Sequence, residues 1–319
     1  MSASAYMAGA NLPAKKYSKT SPTITRLSFE FDGGTTKFID IGLALSAINR
    51  KFYRQGVYYY VNSIEVYNNE TGVVDLHTLP DNWITKNAWN RGFQMFQKMN
   101  RLVGPPIGAF KPKYHDFKVY MNDLHRTTGS NQPVLHTING NPGQEQLTDD
   151  WVYSEFVSAD ADSDPNIQDP DKFNVHMIGA HSGSANAWDS VSLIKSYAET
   201  RGTVNSESPD DANIDITDPL LNLFDFSSEE QLNSIAENLL DDNDNPPYNY
   251  NQYVGEAASS LQHVARIGTE VGVGRVGRAA GFCAPFGLIC VDPHGVSTAF
   301  RVVLNLAVGT YHGVYAERA

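Results

Sequence analysis

The chain has few cysteines, no long apolar run and, between residues 149 and 245, hardly any basic residues. Cys283 and Cys290 are its two thiols, set inside GFCAPFGLIC with no second cysteine pair and no nearby histidine pair. That excludes a zinc centre built on thiolates. On a single strand the two would point to opposite faces, so a mutual disulfide is not expected, and two buried apolar thiols in a reducing compartment are. No window approaches the ~20 apolar residues of a membrane-spanning helix. The opening MSASAYMAGANLPAKKYSKTSPT has no apolar centre of the kind a secretion signal needs. A soluble, unsecreted protein without a membrane partner is the expectation, and the sequon Asn69-Glu70-Thr71 then reads as turn composition. Residues 149–245 hold 22 Asp and Glu against three bases, Lys172, Lys195 and Arg201, while the rest holds 14 acids and 21 bases. The formal net charge of −12 therefore hides two surfaces of opposite sign.

Enough apolar material is present for a full core: 41% of residues are hydrophobic, with 16 Tyr, 15 Phe and 4 Trp. At 319 residues the chain exceeds the roughly 250–300 at which one core stops growing, so an elaborated domain or one with a large insertion is expected. Residues 1–22 have the composition of a flexible, weakly basic arm carrying Lys15, Lys16 and Lys19. From residue 23 the alternation of Leu27, Phe29 and Phe31 with polar neighbours predicts a strand. FIDIGLALSAIN predicts a short apolar strand or helix. QGVYYYVNSIEVYNNETG predicts a strand with Tyr58, Tyr60, Ile64 and Val66 on one face, and GVVDLHTLP completes a hairpin. Further strands are expected at 114–121, 151–157, 172–180, 191–204, 286–291 and 298–316.

Two helices interrupt this pattern. Over 84–102 the residues Trp89, Phe93, Phe96, Met99 and Val103 recur at helical spacing, with Lys86, Arg91, Lys98 and Arg101 mostly off the stripe and a Gly-Pro-Pro stop at 104–106. Ser227-x-x-Glu230 is a capping box leading into Leu232, Ile235, Ala236 and Leu239. The polar connections at 158–172, 206–219 and 241–253 are of a length usually found in functional or decorated loops. Many short strands, long loops and inserted helices predict a mainly β fold: an eight-stranded antiparallel jelly-roll sandwich over 23–319. The acidic stretch at about 158–253 forms its loop or projection region.

The motifs that carry enzyme chemistry fail on context. GVGRVG at 272–277 has the spacing of a dinucleotide loop but lacks the alternating βα order such a site needs, and reads as a mildly basic loop with Arg275 and Arg278. DADSD at 160–164 places Asp160, Asp162 and Asp164 as calcium ligand candidates, although Pro165 stands where the EF-hand glycine turn belongs. No other cofactor is expected. His176 and His181 flank Gly179-Ala-His-Ser182-Gly183, which departs from the hydrolase Gly-x-Ser-x-Gly order. A non-enzymatic protein follows. The residues expected to meet nucleic acid are Lys15, Lys16, Lys19, Arg26, Lys51, Arg54, Arg91, Lys98, Arg101, Arg275 and Arg278, with Lys86 as a further base on the helix.

Four stretches, TLPDNWITKNAWNRGFQMFQKMN (78–100), SVSLIKSYAETR (190–201), DPLLNLFD (218–225) and GFCAPFGLI (281–289), resemble coat proteins of small circular Rep-encoding single-stranded DNA viruses. The resemblance covers about a fifth of the chain. It implies a jelly-roll subunit that assembles with copies of itself inside the host cell into an icosahedral virion shell. Such a shell encloses single-stranded DNA and meets a host receptor. Many such coats open with a long arginine-rich arm, and this chain has instead three lysines and Arg26 there, so bases on the folded body have to share the neutralisation. The alternative expectation is a jelly-roll carbohydrate- or receptor-binding module, with Trp83, Trp89, Trp151 and Trp188 on a sugar-binding face.

Overall fold

The computed structural model describes residues 23–107, 114–131, 135–136, 142–143, 151–157, 172–184, 187–200, 261–270 and 275–318. The fold is mainly β with antiparallel sheets, as the alternation predicts. One sheet runs in the order β1 (Arg26–Phe31), β12 (Phe300–Leu306), β3 (Val57–Tyr67), β10 (Val276–Ala284), with Ala316–Arg318 pairing to the start of β3. The other runs β9 (Gln262–Thr269), β4 (Gly72–Thr78), β11 (Leu288–His294), β2 (Lys37–Asp40), with the short β5 (Ser130–Asn131) parallel at its edge. Leu27, Phe29, Ile64, Val66, Val302 and Leu304 of the first sheet share one buried cluster with Ile39, Val74, Leu76, Ile289 and Val291 of the second. The two sheets therefore face each other across a common core, and each such side chain contributes about 1.5–3 kcal/mol by leaving water.

Sequence alternation and structure part company on β3. Tyr59 and Val61 share the inward face with Ile64 and Val66, because the register against β12 shifts by one residue beside Asn62. Tyr58 instead joins a second cluster outside this shared core. A bulge swaps the faces of everything before it. The neighbouring β10 follows the bend with Gly281, where a Cβ would lie 2.5 Å from the Val61 carbonyl oxygen and 2.6 Å from that of Asn62.

FIDIGLALSAIN is both strand and helix: β2 passes directly into α1 (Ile41–Asn49), capped by Asp40, whose Oδ1 accepts from the Leu43 N–H at 3.1 Å. The helix ends at Arg50, which takes the left-handed conformation.

Everything between β4 and β9 is an insertion, residues 79–261, and its described parts lie over the outer face of the second sheet. Phe38, Leu288 and Cys290 alternate with the inward Ile39, Ile289 and Val291, and pack against Ile84, Ala88, Trp89 and Phe96 of α2 (Trp83–Ile107). The Asn82 side chain caps α2 by accepting from the Thr85 N–H at 2.8 Å. The helix continues through Gly104-Pro105-Pro106 instead of stopping there. Proline already has a helical φ, and the Arg101 and Leu102 carbonyls that lose their donors belong to exposed residues that water can reach. After α3 (Asp123–Thr128) come β6 (Glu155–Val157), β7 (Lys172–His176) and β8 (Ala187–Ser192), which form a small sheet with Ser182–Ser184.

Residues 191–204, expected as a strand, turn at Ser192 into α4 (Leu193–Thr200), where the Ser192 hydroxyl accepts from the Lys195 N–H at 3.4 Å. Residues 114–121 run extended, with one bridge between Tyr120 and His176. Their amides are satisfied largely by side chains: Val119 N–H donates to Gln55 Oε1 at 2.6 Å and Lys118 N–H to Ser154 Oγ at 3.0 Å.

Cys283 and Cys290 stand on β10 and β11, in different sheets, and both are free. Burial pushes their thiols up to about 11 and about 12, so both are neutral and unreactive near neutral pH. The arm 1–22, the acids 160–164 and the capping-box helix lie outside the described residues.

Candidate nucleic-acid interface

The outer face of the first sheet gathers arginines from strands far apart in sequence. Pairing sets Arg26 beside Asn305, Glu30 beside Arg301, and Glu65 between Val303 and Arg278. Glu65, largely covered, takes Arg26 Nη2 at 3.3 Å and Arg278 Nε at 3.4 Å, while Arg301 Nη2 reaches Glu30 at 2.6 Å. The Arg26 and Arg278 side chains remain 63% and 71% exposed, so each still offers donors to solvent. The Tyr67 hydroxyl donates to Glu65 at 2.8 Å and fixes the carboxylate between them. Arg26, Tyr67, Arg275 and Arg301 line a groove of about 890 Å3 along this face. Four guanidiniums over two carboxylates leave a net positive surface with forked donors, an arrangement suited to phosphate oxygens and sugar hydroxyls.

The structure thus brings together three of the expected nucleic-acid residues, Arg26, Arg275 and Arg278, and adds Arg301, which sequence reasoning missed. Its signal was available in the alternation of β12, since Arg301 is the outward neighbour of inward Phe300 and Val302. Lys86, Arg91, Lys98 and Arg101 lie elsewhere, on α2, with the second sheet and the whole core between them and the groove. Lys51 and Arg54 sit on the loop after α1, where Arg54 pairs with Asp116 at 3.6 Å. Lys15, Lys16 and Lys19, the calcium candidates Asp160, Asp162 and Asp164, and Gly272 and Gly274 of the glycine string fall outside the described residues.

The buried polar groups are structural in character. His176 is enclosed, with Nδ1 2.7 Å from Ser190 Oγ and Nε2 3.0 Å from the Ala180 carbonyl, and burial lowers its pKa to about 4. His181 accepts from the Ser192 N–H through Nδ1 and lies 3.3 Å from Glu199. Ser182 and Ser184, flanking Gly183, belong to the small sheet.

A second network joins Asp40, Gln55, Trp151, Tyr153, Ser130 and His125 beneath the insertion. Burial raises the Asp40 carboxyl and lowers His125 to about 3.

At the uncovered end of the second sheet, Arg266 grips Asp75 with two bonds of 2.6 and 2.7 Å, flanked by His263 at 3.4 Å and His294 at 3.3 Å. These hydrogen bonds, Arg266 first, hold the Asp75 carboxyl down at about 2. Among the described residues no group of side chains is arranged to hold a metal ion. No helix of the described residues is long and apolar enough to cross a membrane.

Comparison with known proteins returns no matching family model, no matching curated protein and no matching solved structure.

Proposed function

We propose that the protein is a coat subunit: a jelly-roll domain that assembles with copies of itself into an icosahedral shell around single-stranded DNA, with the arginine face turned toward the genome. The strand order carries this reading. Numbered in chain order, the eight sandwich strands lie as first, eighth, third, sixth in one sheet and fifth, fourth, seventh, second in the other, the interleaving of a double Greek key. Closed, full-length edges are not needed to keep such subunits apart in solution, because rims and loops are where neighbours dock. The arginine groove supports the polyanion partner, and the short basic supply of the arm makes a contribution from the body necessary. The sugar-binding alternative loses two of its four tryptophans, since Trp89 is buried in the core under α2 and the Trp151 indole donates to buried Asp40.

Two measurements test the reading. The purified chain imaged by electron microscopy across salt and calcium concentrations is expected to form closed particles, and a strictly monomeric product under all conditions would sink the shell assignment. For the arginine face, Arg26→Gln with Arg278→Gln is expected to lower the slope of log affinity for single-stranded DNA against log salt by about 1.4, or ~0.7 for each phosphate that the variant leaves unneutralised. Lys98→Gln with Arg101→Gln, on the opposite side of the molecule, is expected to leave that slope unchanged. Equal effects from the two pairs would overturn the assignment of the genome to the arginine face.

A further inference from the structure

The exposed side of α2 is a second basic surface that the groove does not explain. Arg91, Gln94, Met95, Lys98, Arg101 and Leu102 are exposed and recur at intervals of three or four residues, so they form one stripe along the helix. Met95 and Leu102 are 57% and 76% exposed, an apolar pair two turns apart bracketed by Lys98 and Arg101. Trp83–Ile107 contains four bases and no acid. Lys86 pairs with Asp81 at 3.2 Å, but among the described residues Lys98 and Arg101 meet no carboxylate. A helix face that is basic and apolar at once fits an acidic, amphipathic partner.

Such a segment exists in the same chain. Residues 201–260 hold 13 Asp and Glu against the single base Arg201, which equals the whole formal net charge of −12 and leaves the rest of the protein balanced. One flank of that segment lies against α2 and the other against the apolar cluster to which α2 belongs. On one flank α4 packs on α2: the Leu193 methyls lie 3.0 Å from where a Cβ on Gly92 would stand, and the Asn87 amide donates to the Tyr197 hydroxyl at 3.4 Å. On the other flank Leu261 packs into the same apolar cluster as α2. Within the segment, the capping box at Ser227 opens a sequence whose Leu232, Ile235, Ala236 and Leu239 share one helical face, accompanied by Glu229, Glu230, Glu237, Asp241 and Asp242.

We infer that residues 227–242 dock in cis on the exposed stripe of α2, apolar face against Met95 and Leu102 and carboxylates against Lys98 and Arg101. The contact neutralises the second basic surface, so that the arginine groove is left as the folded body's open polyanion site. It stands whether or not the chain forms shells, because every group involved belongs to one subunit.

Zero-length carbodiimide cross-linking of the full-length protein, mixed half and half with a 15N-labelled copy and mapped by mass spectrometry, tests it. Lys98 is expected to join an acid within 227–242 of the same isotopic chain at low salt. The Lys86–Asp81 pair serves as the internal control. Met95→Asp with Leu102→Asp, both at exposed positions, is expected to raise amide exchange across 227–242 at least tenfold without changing exchange in β3 or β12. The inference is overturned if the control link forms while Lys98 links nowhere, links to acids outside 227–242, or links only between unlike isotopic copies. Unchanged exchange in the double variant overturns it as well.

Discussion

Lowering the pH from 6.5 to 4.5 is expected to remove about 4 kcal/mol from the folding free energy through two histidines alone, His125 and His176. Both are buried, and both have folded-state pKa values far below the ordinary 6.5, about 3 and about 4, with loss of solvent as the leading cause. Below pH 6.5 the unfolded chain takes up a proton at each imidazole while the folded protein does not. Stability is therefore complete above 6.5 and declines as pH falls, by up to about 1.4 kcal/mol per pH unit for each histidine, until the folded-state values are reached. At His125 the extra proton cannot be taken up cheaply in place. His125 Nδ1 already accepts from the Met121 N–H at 2.9 Å, and protonation would set two donors against each other there. Denaturant unfolding of unassembled protein at the two pH values checks the sum. His176→Gln, which keeps a polar group between Ser190 and Ala180, is expected to halve the loss. A loss identical in wild type and variant would show that the histidines are not its source.

The opposite carboxylate behaves with the opposite dependence on environment but the same direction in pH. Asp75 is held at about 2 by its hydrogen bonds and charge attraction to Arg266 and His263, so its contribution is present above the ordinary 3.8 and disappears as pH falls from there toward 2. Asp75→Asn is expected to flatten the acid limb of the stability profile in that window, most of which lies below the range where the histidines act. Unfolding profiles between pH 4.5 and 2 distinguish the two.

What the sequence made legible was whatever depends on near neighbours. The strand at 26–31, the α2 stripe and the β4 strand all follow from periodicities that packing leaves intact. The face assignment on β3 failed because one extra residue, Asn62, is demanded by a partner strand some 240 residues away, and nothing local in VYYYVNSIEVY marks it. The helix at 193–200 was hidden for a related reason: its β-rich start is genuine, and only a serine cap divides strand from helix. The basic residues could be read off the sequence, yet their partition between faces was beyond reach. Arg26, Arg278 and Arg301 share one face because the first, eighth, third and sixth of the paired strands lie side by side in one sheet, whereas Lys98 and Arg101 ride on an insertion that covers the other sheet. Charge counts sum over both faces. Function depends on which face each charge occupies.

Besides its apolar cluster, that insertion is tied to the two sheets by a polar network centred on one buried carboxylate, and replacing it is expected to be strongly damaging. Asp40 ends β2, caps α1 through Leu43, and receives on Oδ2 the Gln55 amide at 3.0 Å, the Trp151 indole at 3.2 Å and the Tyr153 hydroxyl at 3.2 Å. Gln55 in turn holds both the N–H and the carbonyl of Val119, so it cannot turn its amide over without breaking that pair. Asp40→Ala removes every acceptor at once and leaves buried donors unpaired, at about 1–3 kcal/mol each, for a total on the order of 4 kcal/mol. Asp40→Asn separates charge from hydrogen bonding. Its oxygen can keep the cap on Leu43, but its NH2 then faces three donors, so a loss of about 3 kcal/mol is expected even though the volume is conserved. Burial raises the Asp40 carboxyl above its ordinary range, which means that the ionised form already costs the folded state something as pH rises past 3.8. The asparagine variant is therefore expected to show a flatter stability profile on that side while being weaker overall. Urea unfolding followed by tryptophan emission reads both quantities. If either variant loses less than about 1 kcal/mol, the carboxylate does not join the two parts, and the insertion is held by its apolar cluster alone.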